Sequence, residues 1–511
     1  MRNIITTQKI LHLKSITLFL LLLFSAEFVF SQSGNEHERS NFNQWNWSEV
    51  NENANWSARA GLQVLNHNNQ FFLFGGRTPL DPASLPFPVP GASIIWGDVW
   101  QSNDLGSSWD NILQTDNLNH WPARAYFQAV SKGDYMYIIG GQNFNIVENP
   151  GIPDLPPLFA QSDFFNDVWR SEDGVNWTNM TEDAGWDGRA GLSAVVFNDE
   201  IYVMGGSVND DSSITPNGPA RIYFNDVWKS GDGANWELVT ENAPWPARAG
   251  GIAVVKGKYM YMVGGEDGFI CNPETPRCPP YYNDVWRTKN GYEWELITES
   301  ASWPARPGHQ VVVAENKLVL FGGFGLGEDI NVPANPMDIW ISNNGRSWRQ
   351  VSDSPWNATS PMDIKYDFDA VVVKGQRNRS DKIFTFGGDR ETFNFFDPFN
   401  YLNVDNDVWE FSIQSRGQGG HFKLNQLHPS LNDDKTVLYF EIPSSGDVDV
   451  QIYDMYGQIV KSYQLPKLNK GSHKIDWDEH DTNGKKLNPG VYISKLKFKN
   501  EYLTNNILLV D

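Results

Sequence analysis

The stretch FNDVWKSGDGANWELVTENAPWPARAG, Phe224 to Gly250, decides how the chain reads, because close copies of it recur along most of the sequence. Its Asn-Asp-Val-Trp core stands at Asn166 to Trp169, Asn225 to Trp228, Asn283 to Trp286 and Asn406 to Trp409. Worn versions end at Trp100 (Gly-Asp-Val-Trp) and Trp340 (Met-Asp-Ile-Trp). Before each copy an apolar run closes on a glycine pair: Phe71 to Gly76, Tyr135 to Gly141, Ile201 to Gly206, Tyr259 to Gly265, Leu318 to Gly323 and Ile383 to Gly388. Within the third unit, Leu192 to Phe197, Ile201 to Met204, Asn225 to Lys229 and Trp236 to Thr240 are short β-branched and aromatic runs bounded by Gly, Asn and Asp. They read as four strands with no helical period.

Four-strand units repeated in this way make the blades of a propeller. A glycine pair ending the second strand, with Trp and Tyr further on, resembles the kelch repeat of galactose oxidase-like propellers, and the resemblance covers residues 45 to 415. It implies an all-β, six-bladed kelch β-propeller. The sixth unit runs on as Glu410-Phe411-Ser412-Ile413 without its last strand. The missing piece stands at the other end of the chain, where Asn46 to Arg59 aligns without a gap on Asn235 to Arg248. The N-terminal strand 46–51 is therefore expected to complete the sixth blade and remove an open edge.

At 511 residues the chain calls for more than one domain. A net charge of −22 argues against nucleic acid or an anionic membrane as partner. Basic residues at Arg2, Lys9 and Lys14, an apolar run from Ile16 to Phe24 and a polar start at Gln32 mark residues 1–31 as a signal peptide. No later apolar run reaches spanning length, so a secreted, extracellular or outer-membrane-surface location without a transmembrane span is expected. The two cysteines, Cys271 and Cys278, share one Pro-rich loop and are expected to form a local disulfide. No metal or cofactor is expected.

The propeller is placed at 32–415. Its turns after the third strand are short and uniform, as in Ser171-Glu-Asp-Gly-Val-Asn-Trp177 and Ser230-Gly-Asp-Gly-Ala-Asn-Trp236. The variant Ser102 to Trp109 is similar to the Asp-box of sialidase-type propellers, which implies a structural turn. The loops after the glycine pairs are long, all different, and rich in Pro, Asp, Asn and aromatics. Constant turns on one face and variable loops on the other place function on the loop face.

After a linker at 416–423, with the flexible composition of Arg416-Gly-Gln-Gly-Gly420, a second β domain occupies 424–511. Its Gln451-Ile-Tyr-Asp-Met-Tyr-Gly-Gln-Ile-Val460, Gly471 to Trp477, Asp481-Thr-Asn-Gly-Lys485 and Leu487-Asn-Pro-Gly-Val-Tyr492 look like the C-terminal sorting domain of the type IX secretion system of Bacteroidetes. That resemblance implies a small immunoglobulin-like β-sandwich and the type IX machinery as partner. The entry at His428-Pro429 departs from the family's usual Asn-Pro.

Arg59, Arg124, Arg189, Arg248 and Arg306 follow Trp-x-Ala or Trp-x-Gly at the same point of successive units. They could cradle an anion at the channel mouth; the stronger reading is that a residue repeated in every blade serves the blade. The same reasoning assigns the repeated aspartates to bonding between elements and the repeated Asn-Asp-Val-Trp tryptophans to the core. Residues that break the repeat are better ligand candidates. These are His309, Glu266, Asp267, Asp389, Arg390 and Glu391, with Tyr282 and Phe396 among the loop aromatics. Aromatics interleaved with acids and amides suit a carbohydrate. The expected role is non-catalytic recognition of a glycan. A carbohydrate-active enzyme of sialic acid mutarotase-like or lyase type, and protein–protein adhesion, stay open as alternatives.

Overall fold

The computed structural model describes residues 45–86, 89, 92–149, 151, 157–209, 220–268, 280–324, 338–354, 356, 365–376, 380–390, 402–413, 423–426, 436–499 and 501–509. The leader, Cys271, Cys278, Glu391, Phe396 and most of the linker lie outside them. Among the described residues no helix is long and apolar enough to cross a membrane.

Each repeat folds as read. In the third unit the strands run Ser193–Phe197, Glu200–Met204, Val227–Ser230 and Glu237–Thr240, in that order within one antiparallel sheet. Val203 pairs with Ala194 on one side and Trp228 on the other. The first hairpin turns on two residues with positive φ in the third and first units, Asn198 and Asp199, and Asn68 and Asn69, and on one glycine in the second and fourth, Gly133 and Gly257. Such tight turns match the strand twist, and short polar side chains tolerate them.

Five of these sheets are self-contained blades with four strands each. The expectation of six equivalent blades is corrected at the last one. Asp369–Val373, Lys382–Asp389, Val404–Ile413 and the N-terminal Trp45–Asn51 lie side by side, but they form half of an eight-stranded sheet. Its other half is Glu501–Leu509, Gly490–Phe498, Gly446–Tyr453 and Ile459–Leu468 of the C-terminal domain. The junction is antiparallel pairing of Trp47 with Tyr502 and Ser48 with Glu501. The sequence pattern fixes four strands at this position; it carries no signal that a neighbour's edge will continue the sheet.

The C-terminal domain packs this half-sheet against Lys423–Gln426, Thr436–Ile442 and Gly471–Trp477. Its core includes Leu438, Phe440, Val450, Ile452, Trp477, Leu496 and Ile507. That is the expected small immunoglobulin-like sandwich.

Around the axis the first strands of successive units are neighbours in a closed ring. Side chains staple several seams. Ala129 N donates to Gln63 Oε1 at 3.1 Å, Ala194 N to Gln128 Oε1 at 3.3 Å and Ala253 N to Ser193 Oγ at 3.1 Å. Gln310 Nε2 donates to the Phe368 carbonyl at 2.7 Å. At the closing seam the acceptor is a carboxylate: Val64 N donates to Asp369 Oδ2 at 2.5 Å. Burial pushes the Asp369 carboxyl up to about 7, against the hydrogen bonds from Val64 N and Ala370 N.

A carboxyl whose folded pKa lies above its ordinary 3.8 holds its proton more tightly in the folded chain. Its contribution to stability is therefore present at low pH and is lost as pH rises from about 4 to about 7. Asp369→Asn, which keeps an oxygen for Val64 N without the charge, is expected to raise Tm relative to the parent more at pH 8 than at pH 5. Thermal denaturation of both proteins at the two pH values measures this; an equal difference at both would show that Asp369 does not titrate there.

Candidate functional site

The repeated arginine builds the wall behind the site. Arg248 donates Nε to the Pro246 carbonyl, Nη1 to the Gly264 carbonyl and to Asp284 Oδ1, and Nη2 to Asp284 Oδ2, at 2.6 to 3.0 Å. Asp284 Oδ2 also accepts from Trp286 Nε1 at 2.8 Å. The same bidentate pairs join Arg59 to Asp98, Arg124 to Asp167, Arg189 to Asp226 and Arg306 to Asp338. All five arginines are buried. Aromatics roof four of them from the loop side: Trp96 over Arg59, Phe165 over Arg124, Phe224 over Arg189 and Tyr282 over Arg248. The bidentate pairs of all five, and one face of four of them, are thus engaged by the scaffold. In the sixth set Lys365 bridges Asp405 and Asp407 at 2.9 and 2.5 Å.

The glycine pair serves the same network. A Cβ on Gly75 would stand 2.7 Å from the Arg124 carbonyl, and Gly76 N donates to that oxygen at 2.9 Å. The Asn-Asp-Val-Trp tryptophans, expected in the core, are mostly half-buried and anchor their own aspartates. The deep tryptophans are those before the arginines, Trp56, Trp121, Trp186, Trp245 and Trp303.

Two residues beyond each arginine or lysine the chain reaches the axis. Gly61, Tyr126, Gly191, Gly250, Gly308 and Asp367 occupy equivalent positions, all with φ between 50 and 64°. Backbone bonds link them around the mouth: Tyr126 N to Gly61 O, Gly191 N to Tyr126 O, Gly250 N to Gly191 O, Asp367 N to Gly308 O and Gly61 N to Asp367 O. Four positions are bare glycine. Tyr126 and Asp367 hold the same left-handed conformation with side chains, at a backbone cost that marks functional positions in other proteins.

The residue after each glycine pair walls this floor: Arg77, Gln142, Ser207, Glu266, Phe324 and Asp389. Arg77 donates Nε to the Tyr126 hydroxyl and Nη2 to Asp389 Oδ2, both at 2.6 Å. Burial, then Asp367 and Asp389, pushes the Tyr126 phenol well up against the opposing Arg77 charge. Across the mouth Arg221 lies 3.9 Å from Glu266, and Tyr281 is pushed up by burial and by Glu266. Below the floor an axial cavity of about 80 Å³ is lined by the ring residues and the starts of the inner strands.

Of the expected candidates, Glu266 and Asp389 stand on this wall. Asp267 accepts from the Tyr282 hydroxyl at 2.5 Å beside it. Arg390 donates to Asp405 at 2.9 Å and to the Trp356 carbonyl. His309 faces the axial cavity with Nδ1 2.9 Å from the Arg306 carbonyl, and burial with the Arg306 charge lowers its pKa to about 4, so it is neutral. Arg77, Tyr126, Gln142, Arg221 and Asp367 were not singled out by the sequence pattern. Tyr126 and Asp367 had a signal, since they replace the glycine of Arg-Ala-Gly at Gly61, Gly191 and Gly250. Among the described residues no cluster of His, Cys, Asp and Glu could hold a metal ion.

Human Kelch domain-containing protein 1 is 26% identical over 270 residues, covering 49% of this chain and 62% of that protein. The propeller is thus similar to part of a kelch-domain protein. The alpha chain of the flagellar outer arm dynein of Chlamydomonas reinhardtii is 23% identical over 239 residues, 44% of this chain and 5% of that one. The chain thus spans less than two thirds of the length of either relative. The solved structure of YjhT aligns over 72% of this chain and 100% of its own, with a TM-score of 0.46 and 14% identity. Residues 425–501 match the FlgD Ig-like domain family.

Removing one partner of a buried pair strands the other charge, which costs about 3–5 kcal/mol. Asp284→Ala is expected to destabilise the propeller on that scale by urea denaturation, since Arg248 has no solvent to turn to. A loss under about 1 kcal/mol would mean that the pair is dispensable.

Proposed function

We propose that the protein is an exported recognition module that binds glycan at the axial mouth of its loop face. The observation that carries this is the mouth itself. Four ring positions carry no side chain, and Tyr126, Asp367, Arg77, Glu266 and Asp389 gather around the ring. Carboxylates and guanidiniums bond sugar hydroxyls, and a tyrosine ring offers a face for a pyranose.

The convergence of Arg77, Tyr126, Asp367 and Asp389 also favours a second reading, a carbohydrate-active enzyme of mutarotase-like or lyase type. In either case the leader and the C-terminal domain support export. The resemblance of the motifs at Gln451 to Val460 and Leu487 to Tyr492 supports reading the C-terminal domain as a type IX sorting signal that would deliver the propeller across the outer membrane. A chain lacking 424–511 is expected to be retained in the periplasm of the native host. Its appearance on the surface or in the medium, scored by fractionation, would remove that role.

A bound sugar stabilises the folded chain by linkage. Thermal-shift titration with mono- and oligosaccharides is expected to raise Tm, and Tyr126→Gly is expected to abolish the shift. Glycine suits the φ of 54° at this position, so the substitution removes the ring and the anchor of Arg77 without new strain. Product analysis on the sugar that binds separates binder from enzyme. A shift that survives Tyr126→Gly would move the site away from the mouth.

A further inference from the structure

The first strands end, on the face of the constant turns, in a pair of side chains that the glycan reading leaves unused. Seven residues beyond the scaffold arginine or lysine of each unit stand Asn66, Ser131, Val196, Val255, Val313 and Val372. Valine at four of the six shows that the frame needs nothing polar at this position, so Ser131 is a departure with a chemistry of its own. One place further on, the first unit has His67 where the others have Lys132, Phe197, Lys256, Ala314 and Val373. The two departures meet across the seam between the first and second blades, with His67 Nδ1 2.7 Å from Ser131 Oγ.

Their surroundings divide the roles. The imidazole is 3% exposed and packs edge-on against Phe72, whereas Ser131 is half-buried and the hairpin residues after it, Gly133 and Asp134, are exposed. Burial lowers the His67 pKa below its ordinary 6.5, against the pull of the Asp134 carbonyl and carboxylate, so the ring is neutral at pH 7. Asp134 is the one charged group acting on it among the described residues. A neutral imidazole carries one N–H and one bare nitrogen. The Asp134 carbonyl favours the N–H, and Nε2 is buried with no other hydrogen-bond partner among the described residues. A proton on Nε2 leaves Nδ1 bare toward the serine hydroxyl, the arrangement in which an imidazole activates an alcohol. Asn66 and Val372, on the tier of Ser131, line a second axial cavity of about 330 Å³.

We propose that Ser131 is a nucleophile with His67 as its base, a site on the turn face that accepts small acyl groups from esters. Ser131 Oγ attacks the ester carbonyl carbon while its proton passes to His67 Nδ1. The tetrahedral adduct then breaks its bond to the leaving alcohol, which takes that proton from Nδ1, and the acyl group stays on Ser131. The site lies on the face opposite the mouth and does not depend on what the mouth binds.

The test treats the full mature chain with p-nitrophenyl acetate and, separately, with a small fluorophosphonate, and locates each adduct by peptide mass mapping. Ser131 is expected to be labelled about tenfold or more ahead of every other serine. Its rate is expected to fall on acidification below pH 6.5, as His67 takes up a proton and can no longer accept one. His67→Gln keeps a hydrogen-bonding group beside the serine without its basicity, and is expected to slow labelling about tenfold or more. His67→Asn serves as a second variant should the first not fold. Ser131→Val, the residue of four other units, is expected to fold and to lose the label. Labelling that is absent from Ser131, or spread evenly over the serines, overturns the nucleophile. Labelling of Ser131 that is indifferent both to pH and to the His67 variants overturns the role of the histidine.

Discussion

The buried arginine–aspartate pair is the interaction on which the propeller depends. Each guanidinium fastens the segment between blades to the third strand of the blade it enters and to the first glycine of the pair. Its backbone carbonyl, in turn, takes the N–H of the second glycine in the blade before, as Arg124 takes Gly76 and Arg189 takes Gly141. The motif is therefore a chain of couplings between neighbours. It closes on itself, because Gly388 N donates to the Arg59 carbonyl across the seam between the two ends of the propeller. Burying such charges is costly unless each donor is satisfied, and here every arginine is held by a carboxylate and two carbonyls.

That rigid frame explains where side-chain freedom remains. Positions committed to the couplings cannot vary without stranding a charge, so variation collects at the ring and at the first residue after each glycine pair. There the six units differ in charge, size and polarity while the backbone stays the same. The mouth is thus a symmetric socket with asymmetric fittings, and its chemistry comes from the departures.

The architecture was legible in the sequence because the repeat repeats its chemistry as well as its hydrophobicity. Gly-Gly, Asn-Asp-Val-Trp and Trp-x-Ala-Arg are separated in sequence, yet each makes sense only with the others in contact. The role of the arginines as scaffold could be weighed from their recurrence alone. The site was less legible. Glu266 and Asp389 followed glycine pairs and drew notice, but Arg77 and Gln142 hold the same register and did not, since a lone polar residue after a strand is ordinary. Asp369 stands outside every repeated motif; its seam position depends on closure, which no local pattern records. Tyr282 read as a loop aromatic and is a lid on Arg248.

The eight-stranded sheet has a mechanical meaning. The closing strand Trp45–Asn51 is bonded on one side to Val404–Ile413 and on the other to Glu501–Leu509. Trp47 stacks on Phe411, and Tyr502 covers Trp409. A pull on the C-terminal domain is thus borne by strand hydrogen bonds lying across the junction as well as by the connecting peptide. The load enters the ring at its closure and spreads into the blade sheet. The seam where the two ends of the ring meet is thus also the one to which the second domain adds strands.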